Sequence, residues 1–196
     1  MIIKVCGMRE PQNIREVAAL AINWIGFIFY ERSKRFVERC PTEQQVTDSE
    51  QLSPKKVGVF VNATIESMME KASAYKLDYL QLHGNESPED CHTLQKRGYS
   101  LIKAFPIATK EDFEKTREYE GRVDYFLFDT RCEGYGGSGK RFDWSILTEY
   151  KGETPFLLSG GIRPENAEAI RNFRHPRLAG IDLNSGCLLY TSDAAD

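Results

Sequence analysis

The chain has 196 residues, a formal net charge of −3 and 41% hydrophobic residues, which suits one domain with a full core. Its slight acidity argues against nucleic acid as the main partner, though a local patch can still bind phosphate. No stretch approaches the roughly 18 consecutive apolar residues of a membrane helix, and the start, Met1-Ile2-Ile3-Lys4, lacks the basic segment and apolar run of a signal peptide.

In chain order, the apolar run 2–6 ends in Cys6, just before Gly7. Residues 11–21 place Ile14, Val17, Ala18 and Ala21 at i, i+3, i+4, i+7, the spacing of a helix. A second run, 24–29, leads into Ser33-Lys34-Arg35. Residues 40–56 should hold the next helix, but Thr42 to Glu50 is polar with few core anchors, so a short or poorly packed helix is expected. Run 57–61 ends at Asn62, and Thr64 then caps a helix carrying Met68, Met69 and Ala72. Run 79–82 gives His83-Gly84, after which Ser87-Pro88-Glu89-Asp90 opens a helix with a cap and a first-turn proline. Run 101–105 precedes helix signals over 109–117. Run 125–128 leads to Asp129-Thr130, a Gly136-Gly137-Ser138-Gly139 loop and a short helix opening at Asp143-Trp144. Trp144 is expected to pack that helix start against the sheet. Run 156–158 leads to Ser159-Gly160-Gly161 and a helix over 164–173, and run 178–183 to Asn184-Ser185-Gly186.

The runs are near-continuous rather than alternating, as in strands buried on both faces of a parallel sheet. Repeated β-α units, eight strands in all, predict an α/β fold, a (β/α)8 TIM barrel. A doubly wound open sheet is the rival, but it calls for fewer strands and a glycine fingerprint after the first.

In such a barrel the active site forms at the C-terminal strand ends. Polar and small residues gather there: Cys6, Arg35, Asn62, His83, Asp129, Ser159 and Asp182. Gly137, Ser138, Gly139, Gly160, Gly161, Ser185 and Gly186 form three glycine-containing turns in register with the last strands. Such turns let backbone N–H groups approach an anion, so a phosphorylated small molecule is the expected partner. Cys6 and Asp129 would face each other across the barrel mouth as base and acid, and Arg35 has the two-pronged geometry for a carboxylate. Each residue also has a plainer reading. Cys6 can be a small core hydrophobe, Asp129 a turn cap, Arg35 a surface charge, His83 a loop hydrogen bonder. The five cysteines (Cys6, Cys40, Cys91, Cys132, Cys187) are scattered without a CxxC pair. His83, His92 and His175 lack metal-ligand spacing. No disulfide framework or metal site is expected, and the expected setting is a reducing cytoplasm.

The stretches KVCGM, IGFIFYERSKRFV, KKVGVFVN, LQLHGNES, FLFDT, GGSGKRFDW, LLSGGIRPENA and GIDLNSG, in this order, resemble the phosphoribosylanthranilate isomerase family. The resemblance implies a cofactor-free Amadori rearrangement in tryptophan biosynthesis. N-(5-phosphoribosyl)anthranilate becomes 1-(2-carboxyphenylamino)-1-deoxyribulose 5-phosphate. By motif match, Cys6 resembles the general base, Asp129 the general acid and Arg35 the holder of the anthranilate carboxylate; His83 and Asp182 match positions lining the site. The thiol then needs a lowered pKa, with Lys4 or Arg35 as sources of positive potential, and Asp129 a raised one. The implied assembly is a monomer or homodimer, without membrane or nucleic acid.

The resemblance ends at Gly186. The family continues through a short phosphate-facing helix and a final amphipathic one, whereas residues 187–196 read CLLYTSDAAD. The expectation is a barrel domain over 1–186, a tail over 187–196 outside the family pattern, and a last helix that is missing. Two other readings remain: another phosphosugar-binding barrel isomerase, such as the histidine-pathway one, which resembles two half-barrels with an Asp where this chain has Cys6, and a non-catalytic barrel binding module.

Overall fold

In the computed structural model, described over residues 1–37, 54–130 and 144–184, eight parallel strands close into a barrel in sequence order. They are β1 (Ile2–Cys6), β2 (Trp24–Ile28), β3 (Lys55–Phe60), β4 (Tyr79–Leu82), β5 (Ser100–Ile107), β6 (Tyr125–Thr130), β7 (Phe156–Ser159) and β8 (Leu178–Leu183). β1 pairs with both β2 and β8, and the second pairing sets Lys4 opposite Asp182. The open-sheet alternative is thereby excluded.

Both faces of the strands are buried, as the unbroken apolar runs require. Phe126, Leu127 and Phe128 follow one another and all are inaccessible to solvent. Leu127 and Leu157 join Trp24, Val57, Ile102 and Ala104 in the cluster inside the barrel, whereas Phe126, Phe128, Phe156 and Leu158 belong to the larger cluster outside it. The two-residue period of a strand therefore sorts the site. Ile2, Lys4 and Cys6 share one face of β1, and Tyr79, Gln81 and His83 share one face of the β4 path. Tyr125, Leu127 and Asp129 do the same on β6. Trp24, Tyr79 and Tyr125 plug the N-terminal end with ring centroids 4.5 to 6.1 Å apart.

The helices are α1 (Pro11–Ala18), α2 (Ile65–Ala74), α3 (Pro88–Lys96) and α4 (Ala167–Asn172). α1 stops three residues short of the expected end at residue 21; Ile14 is its buried anchor. The Thr64 hydroxyl caps α2 by accepting the Ser67 N–H at 3.2 Å. Ser87 and Asp90 cap α3 reciprocally. Two segments expected as α-helices are instead 3-10 helices, Lys110–Tyr119 and Trp144–Glu149. The first presents only Phe113 and Thr116 as buried residues, an i, i+3 pair that fits three residues per turn. The helix expected over 164–173 splits into a 3-10 turn, Pro164–Asn166, followed by α4. Trp144 is buried against the outer cluster, as expected. The expected helix within 40–56 lies outside the described residues up to 53; residue 54 leads into β3, which already includes 55 and 56. The tail over 187–196 also lies outside them.

Candidate active site

A cavity of about 290 Å³ opens at the C-terminal ends of the strands. Cys6, His83, Asp129, Gly160, Gly161 and Asp182, six of the residues singled out in the sequence, all line it. Arg35 does not. Its guanidinium donates to the Asn184 side chain, which is itself a lining residue, so Arg35 sits at the rim. Gly137, Ser138, Gly139, Ser185 and Gly186 lie outside the described residues. Gly160 and Gly161 both take positive φ (91° and 63°), turning the chain so that its backbone borders the cavity.

Cys6 ends β1 with only 2% of its surface exposed. Its thiol fits because residue 26 on β2 is glycine. A Cβ there would lie 2.8 Å from the Cys6 sulfur and 3.1 Å from its Cα. Beneath the thiol, Lys4 Nζ donates to Asp182 Oδ1 at 2.7 Å, with neither side chain more than 4% exposed. The Ser159 hydroxyl donates to the other Asp182 oxygen at 3.3 Å. The Lys4 charge also acts on the Cys6 thiol, favouring its ionised form.

The electrostatics differ from the expectation in one respect. Burial pushes the Cys6 thiol up from its ordinary 9.0, Lys4 pulls it down, and the Asp182 carboxylate pushes it up again. The net direction is upward, not downward, because desolvation of the thiolate in a 2%-exposed site outweighs one cation whose own charge is shared with a carboxylate. Arg35 takes no part in this balance, so Lys4 is the cation that favours the thiolate. Lys4 itself is raised: burial lowers it, but Asp182 and Cys6 more than offset that.

Across the mouth, Asp129 Oδ2 lies 3.9 Å from His83 Nε2, with both side chains partly exposed. Gln81, 1% exposed, hydrogen-bonds the other ring nitrogen at 2.9 Å. Burial lowers the His83 pKa below 6.5 against the pull of Asp129. The imidazole is therefore neutral near pH 7, and it faces Asp129 without forming an ion pair with it.

Gln81 was not singled out from the sequence, and Lys4 only as one of two sources of charge. The signal for both is a polar side chain inside an apolar run: IIKVC and YLQL. Lys103 in β5 is a third case. Among the described residues, no group of three or more His, Cys, Asp or Glu is placed to hold a metal ion.

Comparison with known proteins agrees with the barrel fold. The family model described as N-(5'phosphoribosyl)anthranilate (PRA) isomerase matches residues 3–187. The N-(5'-phosphoribosyl)anthranilate isomerase of Parabacteroides distasonis is 98% identical over 186 residues, covering 95% of this chain and 84% of that protein. The Phocaeicola vulgatus protein of the same name is 50% identical over 188 residues, covering 95% of this chain and 88% of its own. Among solved structures, the Thermotoga maritima phosphoribosyl anthranilate isomerase superposes with a TM-score of 0.82 at 32% identity, over 97% of this chain and 91% of that one. Another, in complex with reduced 1-(o-carboxyphenylamino)-1-deoxyribulose 5-phosphate, gives a TM-score of 0.77 at 28% identity, over 97% of this chain and 90% of that one. With a family model spanning nearly its whole length and relatives this similar, the chain belongs to the N-(5'-phosphoribosyl)anthranilate isomerase family.

Proposed function

We propose that Cys6 and Asp129 carry the two proton transfers of the family's reaction. That reaction is the Amadori rearrangement of N-(5-phosphoribosyl)anthranilate to 1-(2-carboxyphenylamino)-1-deoxyribulose 5-phosphate in tryptophan biosynthesis. The observation that carries the assignment is convergence. A buried thiol with a lysine beneath it and a partly exposed carboxylate arise from β1 and β6, yet line one cavity at the barrel mouth.

Asp129 delivers a proton to the ribose ring oxygen. The C1′–O bond breaks, its electrons stay on that oxygen, and the anthranilate nitrogen lone pair forms the C1′=N iminium. The Cys6 thiolate then removes the C2′ proton. The electrons of that C–H bond form C1′=C2′ and neutralise the iminium, leaving an enolamine that tautomerises to the ketose. No redox partner is needed, because C1′ is reduced as C2′ is oxidised. The raised thiol pKa makes the thiolate a scarce but strong base, and Lys4 stabilises its negative charge until the C2′ proton neutralises it. His83 and Asp182 line the substrate cavity. Arg35 at the rim holds the anthranilate carboxylate, and Gly160 and Gly161, with Gly137, Ser138, Gly139, Ser185 and Gly186, bind the phosphate. The barrel domain covers residues 1–186, and the enzyme works in the cytoplasm as a monomer or homodimer. In support of a location off the membrane, no described helix is long and apolar enough to cross one.

The test follows the loss of phosphoribosylanthranilate fluorescence with the parent, Cys6→Ser and Asp129→Asn. Turnover by the parent and its loss in both variants are expected. Undiminished turnover in either folded variant removes that residue from its role.

A further inference from the structure

Lys103 is an anomaly of the fold. It follows Ile102 and precedes Ala104, both inside the barrel, so it projects outward, where the neighbouring side chains are apolar. It is nonetheless a buried lysine, with 3% of its side chain exposed, paired to an equally buried Glu86 at 3.1 Å. Its ammonium has three N–H donors, and each has an acceptor: the Leu82 carbonyl at 3.2 Å, the Gly84 carbonyl at 2.7 Å and Glu86 Oε2. Leu82 and Gly84 are the residues on either side of His83.

Glu86 completes the enclosure. Its carboxylate accepts the Gly84 N–H at 3.0 Å and the Asn62 N–H at 2.8 Å. The Asn62 side-chain oxygen accepts the Asn85 N–H at 2.6 Å. Asn62 holds the left-handed backbone conformation, φ 53°, that this interlock needs. Gly84 is the only residue that fits against it, since a Cβ would lie 2.4 Å from the Asn62 side-chain oxygen and 2.7 Å from its backbone nitrogen. The His83 N–H donates to the Phe60 carbonyl at 2.8 Å. The His83 and Gly84 N–H groups and the Leu82 and Gly84 carbonyls are thus tied to β3, to Glu86 or to β5.

We infer that Lys103 and Glu86 form a buried clamp whose function is to aim His83 across the active-site cavity at Asp129. They are positioning residues, since neither lines the cavity. A buried ion pair is a poor way to gain stability compared with apolar side chains of the same volume. What it adds is direction: two carbonyls flanking one residue are fixed by one cation. This inference rests on the placing of His83 in the substrate site.

The test is the double variant Lys103→Met/Glu86→Gln, which removes both charges together and keeps both shapes, so that no charge is left unpaired. With the fold verified by circular dichroism and thermal unfolding, kcat is expected to fall about ten- to a hundredfold, the size of effect a small misplacement of a site group produces. KM should change by less than about threefold. The His83 ring signals in NMR should move, while those of His92 and His175 stay. A folded double variant with parental kcat and an unmoved His83 signal overturns the proposal. If the double variant fails to fold, Lys103→Arg decides. It keeps the cation beside Glu86 and changes only the donor geometry toward the Leu82 and Gly84 carbonyls, so a lower kcat with a moved His83 signal supports the clamp and parental kcat with an unmoved signal refutes it. His83→Ala is measured alongside: full activity there faults the placing of His83 in the site rather than the clamp.

Discussion

Replacing Lys4 by methionine isolates the one cation beneath the Cys6 thiol. Methionine keeps most of the stem volume and removes the charge. Two consequences follow from the structure. First, Asp182, 4% exposed, loses its 2.7 Å partner and keeps the Ser159 hydroxyl at 3.3 Å. Stranding one half of a buried pair costs about 3–5 kcal/mol, a large share of a domain's roughly 5–15 kcal/mol. Second, the thiolate loses the charge that favours it. Two unit charges roughly 4 Å apart interact by about 4 kcal/mol at an effective dielectric near 20. That is well above the ~1.4 kcal/mol that makes a tenfold change. Asp182, which opposes the thiolate, remains beside it. A further upward displacement of the thiol's titration, and a tenfold or greater fall in kcat near pH 7, is the expected net result. The assay is kcat/KM against pH for the parent, Lys4→Met and Lys4→Met/Asp182→Asn. The double variant should regain stability, since no charge is left unpaired, without regaining the position of its alkaline limb. A folded Lys4→Met protein with the parental limb and parental kcat would refute the electrostatic coupling of Lys4 to Cys6.

Three further outcomes are expected. Gly26→Ala puts a Cβ 2.8 Å from the Cys6 sulfur and 3.1 Å from its Cα; overpacking should cost about 1–3 kcal/mol in thermal unfolding and lower kcat with it, and parental values of both would show that β1 yields freely. His83, whose pKa burial lowers, should titrate by NMR with a midpoint below the ordinary 6.5, while a midpoint above it would mean that Asp129 outweighs desolvation. Burial pushes the Cys91 thiol up to about 11 from its ordinary 9.0. The folded state then keeps a proton that the unfolded chain releases, so stability present below pH 9 should decline toward pH 11. Denaturant titrations across that range should show the decline, and Cys91→Ala should flatten it.

The fold was legible because the strands are buried on both faces. Runs such as 2–6, 79–82 and 178–183 end where the strands end, and counting them gives the barrel. Most of the cavity lining was legible for the same reason: a residue just past each run falls at the mouth. The 3-10 character of Lys110–Tyr119 was not, because an i, i+3 pair of buried residues also satisfies a helix pattern. The direction of the Cys6 pKa was not legible either. Sequence spacing puts Lys4 on the same face as Cys6 but says nothing of the desolvation or of Asp182, which reaches Lys4 from 178 positions away. Gln81 and Lys103 look like interruptions in apolar strands until the third dimension shows one against His83 and the other beneath its backbone.

That span between Lys4 and Asp182 bears on how the molecule comes into being. β1 leaves the ribosome before the other seven strands and β8 after them, and the two pair only at closure of the barrel. Contacts of such long sequence separation form slowly, because the loop entropy is spent before they reward it. Until then the Lys4 ammonium has no carboxylate, the Cys6 thiol has no electrostatic setting, and the edges of both strands stand unpaired and prone to association. The appearance of activity during refolding is therefore a clock for the closing of the ring.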